Sequence, residues 1–357
     1  MKRESSSLST ANLPSLILWV AIISLIVGGL TACAPVRHRV EPGKVIRIGF
    51  SMDSLVIERW ARDIDAFSRA AKDMGAEMVL EQADQDPKIQ EAQIRDLLTR
   101  NIDVLVVVPN DADKMTAVIN EVRAKGIPVL SYDRLIRQVM VDLYVSFDNE
   151  KVGYLMASAI SAAVPSGDFI IVNGPKTDNN ALMLNHGIHS VLDPRVANKQ
   201  IRIVSEIWPP TWDSDPVRVM LESILSKERN VKAIIAGNDM LAEASIGVLS
   251  ENQMITQARV SGQDADLAAC QRIAEGSQYA TIYKPVDRLA LKAAGFAIML
   301  AKGEKIQTDS TIDNGAGLIP YVRLEPILVT KDLLDRTVIK DGFQTAADVY
   351  LNVGHRK

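Results

Sequence analysis

Asp103-Val104-Leu105-Val106-Val107-Val108-Pro109 decides the fold class. Its five consecutive aliphatic residues carry no polar alternation, which is the pattern of a parallel strand buried on both faces by helices. A helix expected over 112–125 follows and stops at Gly126, and Pro128-Val129-Leu130-Ser131-Tyr132 reads as the next strand. Upstream, Val45–Phe50 is strand-like. Ile57, Trp60, Ile64, Phe67, Ala71 and Met74 then recur at spacings of three and four, the stripe of an amphipathic helix. Asp53 or Ser54 is its expected cap and Gly75 its stop. A strand at 77–81, a helix at 87–100 with Pro87 in its first turn, and a strand at 144–147 complete this half.

The second half repeats the scheme. Strand-like runs at 169–172, 201–204, 232–236, 260–262 and 281–283 alternate with helical stretches near 179–192 and at 214–226, 241–252, 266–275 and 287–301. Such alternation implies parallel sheets with right-handed crossovers. The expected class is therefore α/β: two doubly wound parallel-sheet lobes with a cleft between them. After 303, Gly315, Gly317 and Pro320 break the pattern, and short strands are expected at 322–324 and 327–329.

The N-terminus reads as an address. Lys2 and Arg3 precede the 15-residue apolar run Leu16–Leu30, short for a bilayer span of roughly 20 residues and suited to a signal-peptide core. Leu30-Thr31-Ala32-Cys33 resembles a bacterial lipobox, which makes 1–32 a signal peptide, Cys33 the lipidated N-terminus and 33–44 a tether. A diacylglyceryl group would anchor the protein to a membrane on its extracytoplasmic side. Removing 32 of 357 residues leaves 325, enough for two domains. The formal charge of −4 becomes −5 once Lys2, Arg3 and Glu4 are gone, so nothing points to a nucleic-acid partner. Cys270, the other cysteine, reads as a small buried hydrophobe.

Polar residues collect where strands are expected to end: Asp133-Arg134, Asn238-Asp239, Asp264 and Lys284. In an open α/β sheet that edge is where ligands bind. Acceptors and donors gathered there, with tryptophans in nearby loops, suit a neutral polyhydroxylated ring such as a sugar. His186 and His189 lack a third metal ligand, Asp84 and Asp86 lack the rest of a calcium loop, and no Gly-rich phosphate loop or nucleophile elbow is present. No metal and no cofactor are expected.

Seven segments carry a resemblance: Glu58-Arg59-Trp60, Tyr132-Asp133-Arg134, Ser146–Gly153, Asp178-Asn179-Asn180-Ala181, Ser261–Leu267, Tyr283-Lys284-Pro285 and Val338–Phe343. Together, in this order from about 45 to 343, they resemble the D-xylose-binding proteins that feed sugar ABC transporters. The resemblance implies a type I periplasmic-binding-protein fold, its two lobes joined by a hinge, a monosaccharide ligand, an ABC permease as partner and a monomeric protein that is not an enzyme. It implies that Arg59, Asp133, Arg134, Asp178, Asn180, Asn238, Asp264 and Lys284 hydrogen-bond the sugar, while Trp60 and Trp212 stack on its two faces. The expected lobes are 45–150 plus about 286–325, and 151–285 plus about 326–350.

The chemistry of a pyranose agrees with that set. Its C–H faces suit an indole, and each rim hydroxyl both donates and accepts. Buried charges need partners, and Asp133 beside Arg134 and Lys284 near Asp264 are the expected pairs. Trp208 is a weaker candidate than Trp212. Three rivals are a same-fold receptor presenting sugar to a sensor kinase or chemoreceptor, a glycoside hydrolase using two of the carboxylates, and a transcriptional regulator. The last needs a DNA-binding segment before residue 45, where the export signal lies. Interleaving of the carboxylates with Arg and Lys favours holding a sugar over protonating its bond.

Overall fold

Val104–Val107 lies in the interior of the first of two sheets, every residue fully buried. The structure is a computed structural model that describes residues 40, 41 and 43–353. The expected signal peptide, Cys33 and most of the tether lie outside the described residues. In chain order, the first elements are β1 (Ile46–Met52), α1 (Arg59–Asp73), β2 (Ala76–Gln82), α2 (Pro87–Thr99), β3 (Val104–Val107), α3 (Thr116–Ala124), β4 (Val129–Tyr132) and β5 (Leu143–Phe147). Then come α4 (Asn149–Ala163), β6 (Gly167–Val172), α5 (Asn179–Ala197), β7 (Ile201–Ile207), α6 (Ser214–Leu225), β8 (Val231–Ala236), α7 (Asp239–Glu251), β9 (Arg259–Ser261), α8 (Leu267–Glu275) and β10 (Ala280–Tyr283). Last are α9 (Val286–Ala301), β11 (Ser310–Asp313), β12 (Leu318–Leu324), β13 (Ile327–Thr330), 3-10 and π-helical turns over 331–339, and α10 (Ala346–Val349).

The first sheet has the order β11-β12-β5-β4-β3-β1-β2 and the second β13-β10-β9-β8-β6-β7. All neighbours are parallel except β11 with β12 and β13 with β10. Each sheet thus contains a doubly wound core whose strand order reverses beside its first strand, where an open α/β sheet leaves a crevice at its carboxyl edge. The two carboxyl edges carry the polar residues singled out above.

The chain passes between sheets three times: from β5 to α4 at 147–149, from β10 to α9 at 283–286, and from β12 to β13 at 324–327. Neighbouring crossings are tied together. Asp148 N donates to Leu324 O at 2.9 Å, and Lys151 pairs with Glu325. In the first lobe Phe50 packs edge-on against Phe67 of α1 and Tyr132, with ring centroids 4.9 and 5.6 Å apart. Burying each such side chain contributes about 1.5–3 kcal/mol. In the second lobe α4 and α5 touch backbone to backbone. A Cβ on Gly187 would lie 1.9 Å from Glu150 O, and one on Gly153 2.0 Å from Leu184 O, so only glycine permits this approach.

Several local expectations change. Helix α1 starts at Arg59 with Glu58 at its cap, not at Asp53 or Ser54. Helix α3 starts at Thr116 rather than 112, because Asp111 closes a turn on Asp113 N and the Ala112 backbone bonds Thr177 O and Arg137 N instead. The edge strand β11 was not expected, since its half-exposed residues form no apolar run. Cys270 is fully buried, and burial pushes its thiol up, followed by Asp239 and Asp266. It stays protonated, a core residue as expected.

Candidate ligand-binding site

The first lobe contributes the connections that follow two of its strands, β1 and β4. Asp53 follows β1, Asp133 and Arg134 follow β4, and Arg59 and Trp60 open α1. Asp133 sits at φ 59°, a left-handed conformation that costs about 1–3 kcal/mol and persists only where surroundings enforce it. Here its carbonyl accepts from Ser146 Oγ at 2.6 Å, Tyr144 Oη at 2.9 Å and Asn180 Nδ2 at 3.1 Å. The twist turns Asp133 away from its neighbour Arg134, so the expected pairing of these two does not form. Asp133 instead receives Arg59 Nη2 at 2.8 Å. Arg59 also forks onto Asp63, with both bonds at 3.0 Å, and Asp63 accepts from Tyr132 Oη at 2.6 Å. Arg134 reaches Asp53 at 2.7 Å and, across the cleft, Asp178 at 2.8 Å.

The second lobe answers with Asp178 and Asn180 at the head of α5, Trp212 in the loop after β7, Asn238 after β8, Gln263 and Asp264 after β9, and Lys284 after β10. Two of these also cap helices, as their residue types predict. Asp178 Oδ1 accepts from Asn180 N at 2.9 Å and Asn238 Oδ1 from Leu241 N at 2.9 Å. Trp212 Nε1 donates to Asp178 at 3.1 Å. One face of its indole rests on backbone: a Cβ on Gly174 would lie 2.2 Å from Trp212 Cη2, and one on Gly237 3.2 Å from Cζ3. Lys284 Nζ lies 2.7 Å from Asp264 Oδ1, the pairing expected from the sequence. Asp264 and Ala265 are held at φ 102° and 58°, which swings Asp264 out of the strand line toward the cleft.

All ten residues expected to contact ligand line one cavity between the two sheets' edges, joined by Ile57 and Gln263. Trp208 stays outside it, with Nε1 on Glu206 at 3.1 Å and Lys176 over its ring at 5.1 Å. Trp60 is both core and lining: it is 2 % exposed, and the Arg59 guanidinium lies 4.6 Å from its ring centre. His186 pairs with Glu150, and His189 with Asp193 and Glu206, so both belong to surface networks. Among the described residues no cluster of His, Cys, Asp or Glu is arranged to hold a metal ion.

Charge in the cavity is compensated internally. Burial raises the Asp133 carboxyl, but Arg59, Lys284 and Arg134 outweigh it and hold the group below the usual carboxylate range. Burial works against charge on Arg59 and Arg134 as well, yet their carboxylate partners keep both firmly protonated. Burial pushes Asp178 up, although Arg134, Asn180 N and Trp212 all donate to it. The lobes meet directly beyond the cavity too. Arg62 of α1 donates to Phe343 O and stacks 4.4 Å over the Phe343 ring.

Sequence reasoning missed Gln263, Ile57 and the supporting Asp53, Asp63, Tyr132 and Tyr144. Gln263 had a usable signal, since it sits in the same strand-end segment as Asp264.

Residues 48–305 match a family model described as periplasmic binding protein domain. The chain belongs to the periplasmic binding proteins. It is 41% identical over 331 residues to a D-xylose-binding periplasmic protein of Haemophilus influenzae, covering 92% of this chain and 98% of that protein. It is 37% identical to the D-xylose-binding periplasmic protein of Escherichia coli, covering 86% and 93%. Among solved structures, a carbohydrate-transporter solute-binding protein of Chloroflexus aurantiacus in complex with D-glucose superposes with a TM-score of 0.81. It is 25% identical, over 85% of this chain and 98% of that one. The two-lobed type I binding-protein fold of these structures is the fold described above.

Proposed function

We propose that this protein is an extracytoplasmic sugar receptor that closes on one monosaccharide, D-xylose, and delivers it to an ABC transporter permease. The observation that carries the reading is the convergence of Arg59, Trp60, Asp133, Arg134, Asp178, Asn180, Trp212, Asn238, Asp264 and Lys284, from both lobes, on a single small cavity. Arg, Lys and Asn donate to the sugar's hydroxyls, Asp and Asn accept from them, and the cavity side of the Trp212 indole takes a C–H face of the ring. Charge-assisted bonds of about 1.5–3 kcal/mol each supply more than the roughly 8 kcal/mol of micromolar binding, leaving a margin for ordering and closure. The 41% and 37% identical relatives, both named for D-xylose, support the choice of sugar.

Binding rather than turnover follows from the same geometry. Asp133, Asp178 and Asp264 each lie within 2.8 Å of an Arg or Lys nitrogen. Asp133, whose carboxyl Arg59, Lys284 and Arg134 hold below the usual range, is a poor proton donor to a glycosidic oxygen, which needs a raised pKa. We assign the crossings at 147–149, 283–286 and 324–327 as the hinge, dividing the chain into lobes of 45–150 plus about 286–325 and 151–285 plus about 326–350. Cys33 as a lipidated N-terminus completes the proposal. Among the described residues no helix is long and apolar enough to cross a membrane, so a lipid at Cys33 would hold the receptor near its permease.

Calorimetric titration of the purified protein with a panel of free monosaccharides tests the reading. Saturable one-to-one binding, tightest for D-xylose, is the expected result. No heat with any pentose or hexose would refute it.

A further inference from the structure

Gln263 lines the cavity, is 4 % exposed, and lies between Gly262 and the strained turn at Asp264. Its Nε2 donates to Gly237 O at 2.7 Å. A carbonyl accepts only from the NH2 end of an amide, so this bond fixes which end of the side chain is the oxygen. That oxygen, Oε1, is buried without a hydrogen-bond donor among the described protein atoms. Buried acceptors are rarely left in that condition. Asn238 Oδ1 caps α7 and Lys284 pairs with Asp264, and neither side chain donates to Oε1. Gly237, the anchor of Gln263, is also part of the floor beneath the Trp212 indole. A sugar lying on that indole turns its rim hydroxyls toward the side chains around it, and Gln263 is one of them.

We infer that Gln263 is a further specificity-determining residue, whose Oε1 accepts a hydrogen bond from one hydroxyl of the bound sugar. The inference rests on the sugar-binding reading of the same cavity and adds a contact to it. A sugar lacking that hydroxyl leaves Oε1 unpaired in the closed cleft, and a site built around a hydroxyl rejects the analogue without it.

The test compares wild type, Gln263→Met and Gln263→Glu by calorimetric titration with D-xylose and each of its single deoxyfluoro analogues. Fluorine retains the size of a hydroxyl but donates nothing. Gln263→Met is expected to weaken D-xylose binding about three- to tenfold, the worth of one hydrogen bond, and to leave one analogue unaffected. Wild type should already bind that analogue less well by a similar factor. Gln263→Glu keeps an acceptor oxygen and, protonated, still donates to Gly237 O, so it should retain the wild-type discrimination. Equal weakening of every ligand by the Met variant would reduce Gln263 to a scaffold for Gly237 and overturn the inference. So would unchanged affinities, or a Glu variant that loses discrimination as the Met variant does. A wild-type protein that binds no monosaccharide is a separate outcome: it refutes the sugar-binding reading, and this inference with it.

Discussion

Gly174→Ala is expected to impair the cleft without replacing a ligand-binding side chain. The added Cβ would lie 2.2, 2.3 and 2.8 Å from Trp212 Cη2, Cζ2 and Cζ3. Non-bonded carbons settle at about 3.5–4.0 Å, so the indole must recede by about 1.3 Å or more. One face of the ring is already on the Gly174 and Gly237 backbone, so the displacement is away from that backbone, toward the cavity that Trp212 lines. That movement lengthens the 3.1 Å bond from Trp212 Nε1 to Asp178 beyond hydrogen-bond range. A bond to a charged group is worth about 1.5–3 kcal/mol, and overpacking costs about 1–3 kcal/mol more. Divided evenly between folding and binding, about 2 kcal/mol falls on each. Affinity for D-xylose should then drop about thirtyfold, and the thermal midpoint should fall by several degrees.

Calorimetric titration and thermal unfolding measure the two shares. Trp212→Phe supplies the control, because the smaller ring lacks the outer atoms that the new methyl strikes. In that background Gly174→Ala should cost only a fewfold in affinity. The reasoning is refuted if Gly174→Ala binds and melts like wild type. It is equally refuted if its cost is the same with phenylalanine at 212, since the two residues would then act independently.

Arg134→Ala strips the partner from both Asp53 and Asp178. Breaking a buried pair from one side costs about 3–5 kcal/mol, so calorimetry should show at least a tenfold loss of sugar affinity, together with a lower melting temperature. Arg62→Ala removes the cross-lobe contacts to Phe343 without altering the cavity wall. It should weaken every sugar by the same small factor, through faster dissociation in stopped-flow fluorescence, and a change in sugar preference would contradict this. Burial, then Asp239, Asp264 and Glu58, raise the Asp266 carboxyl to about 9. A carboxyl raised on folding adds stability that is complete below about pH 4 and fades as pH climbs toward its folded value. Asp266→Asn should therefore melt higher than wild type at pH 8 and converge with it near pH 4, in thermal scans without sugar.

Strands such as Val104–Val107 were legible because burial on both faces leaves no room for polar residues, and β11 was not, because an edge strand obeys no such constraint. The site was legible for a related reason. Doubly wound sheets present their carboxyl ends to one crevice, so polar residues after β4, β8, β9 and β10 share a common destination. The partners within the site were not legible. Adjacent residues look like natural pairs on paper, yet a left-handed Asp133 sends its carboxylate to Arg59, 74 positions earlier, and leaves Arg134 to bridge Asp53 and Asp178. Asp53 looked like a helix cap for the same reason, since proximity in sequence hid an ion pair 81 positions away. These long-range pairs bear on how the receptor closes. Arg134 with Asp178, and Asn180 with the Asp133 carbonyl, link the lobes through protein atoms alone. Closure is then driven partly by bonds between the lobes and partly by bonds to the sugar, and the ligand need supply only the difference in free energy between the two forms. A receptor so arranged gains selectivity where the sugar's hydroxyls complete what the protein leaves unpaired. It sets its release rate where the two lobes hold each other.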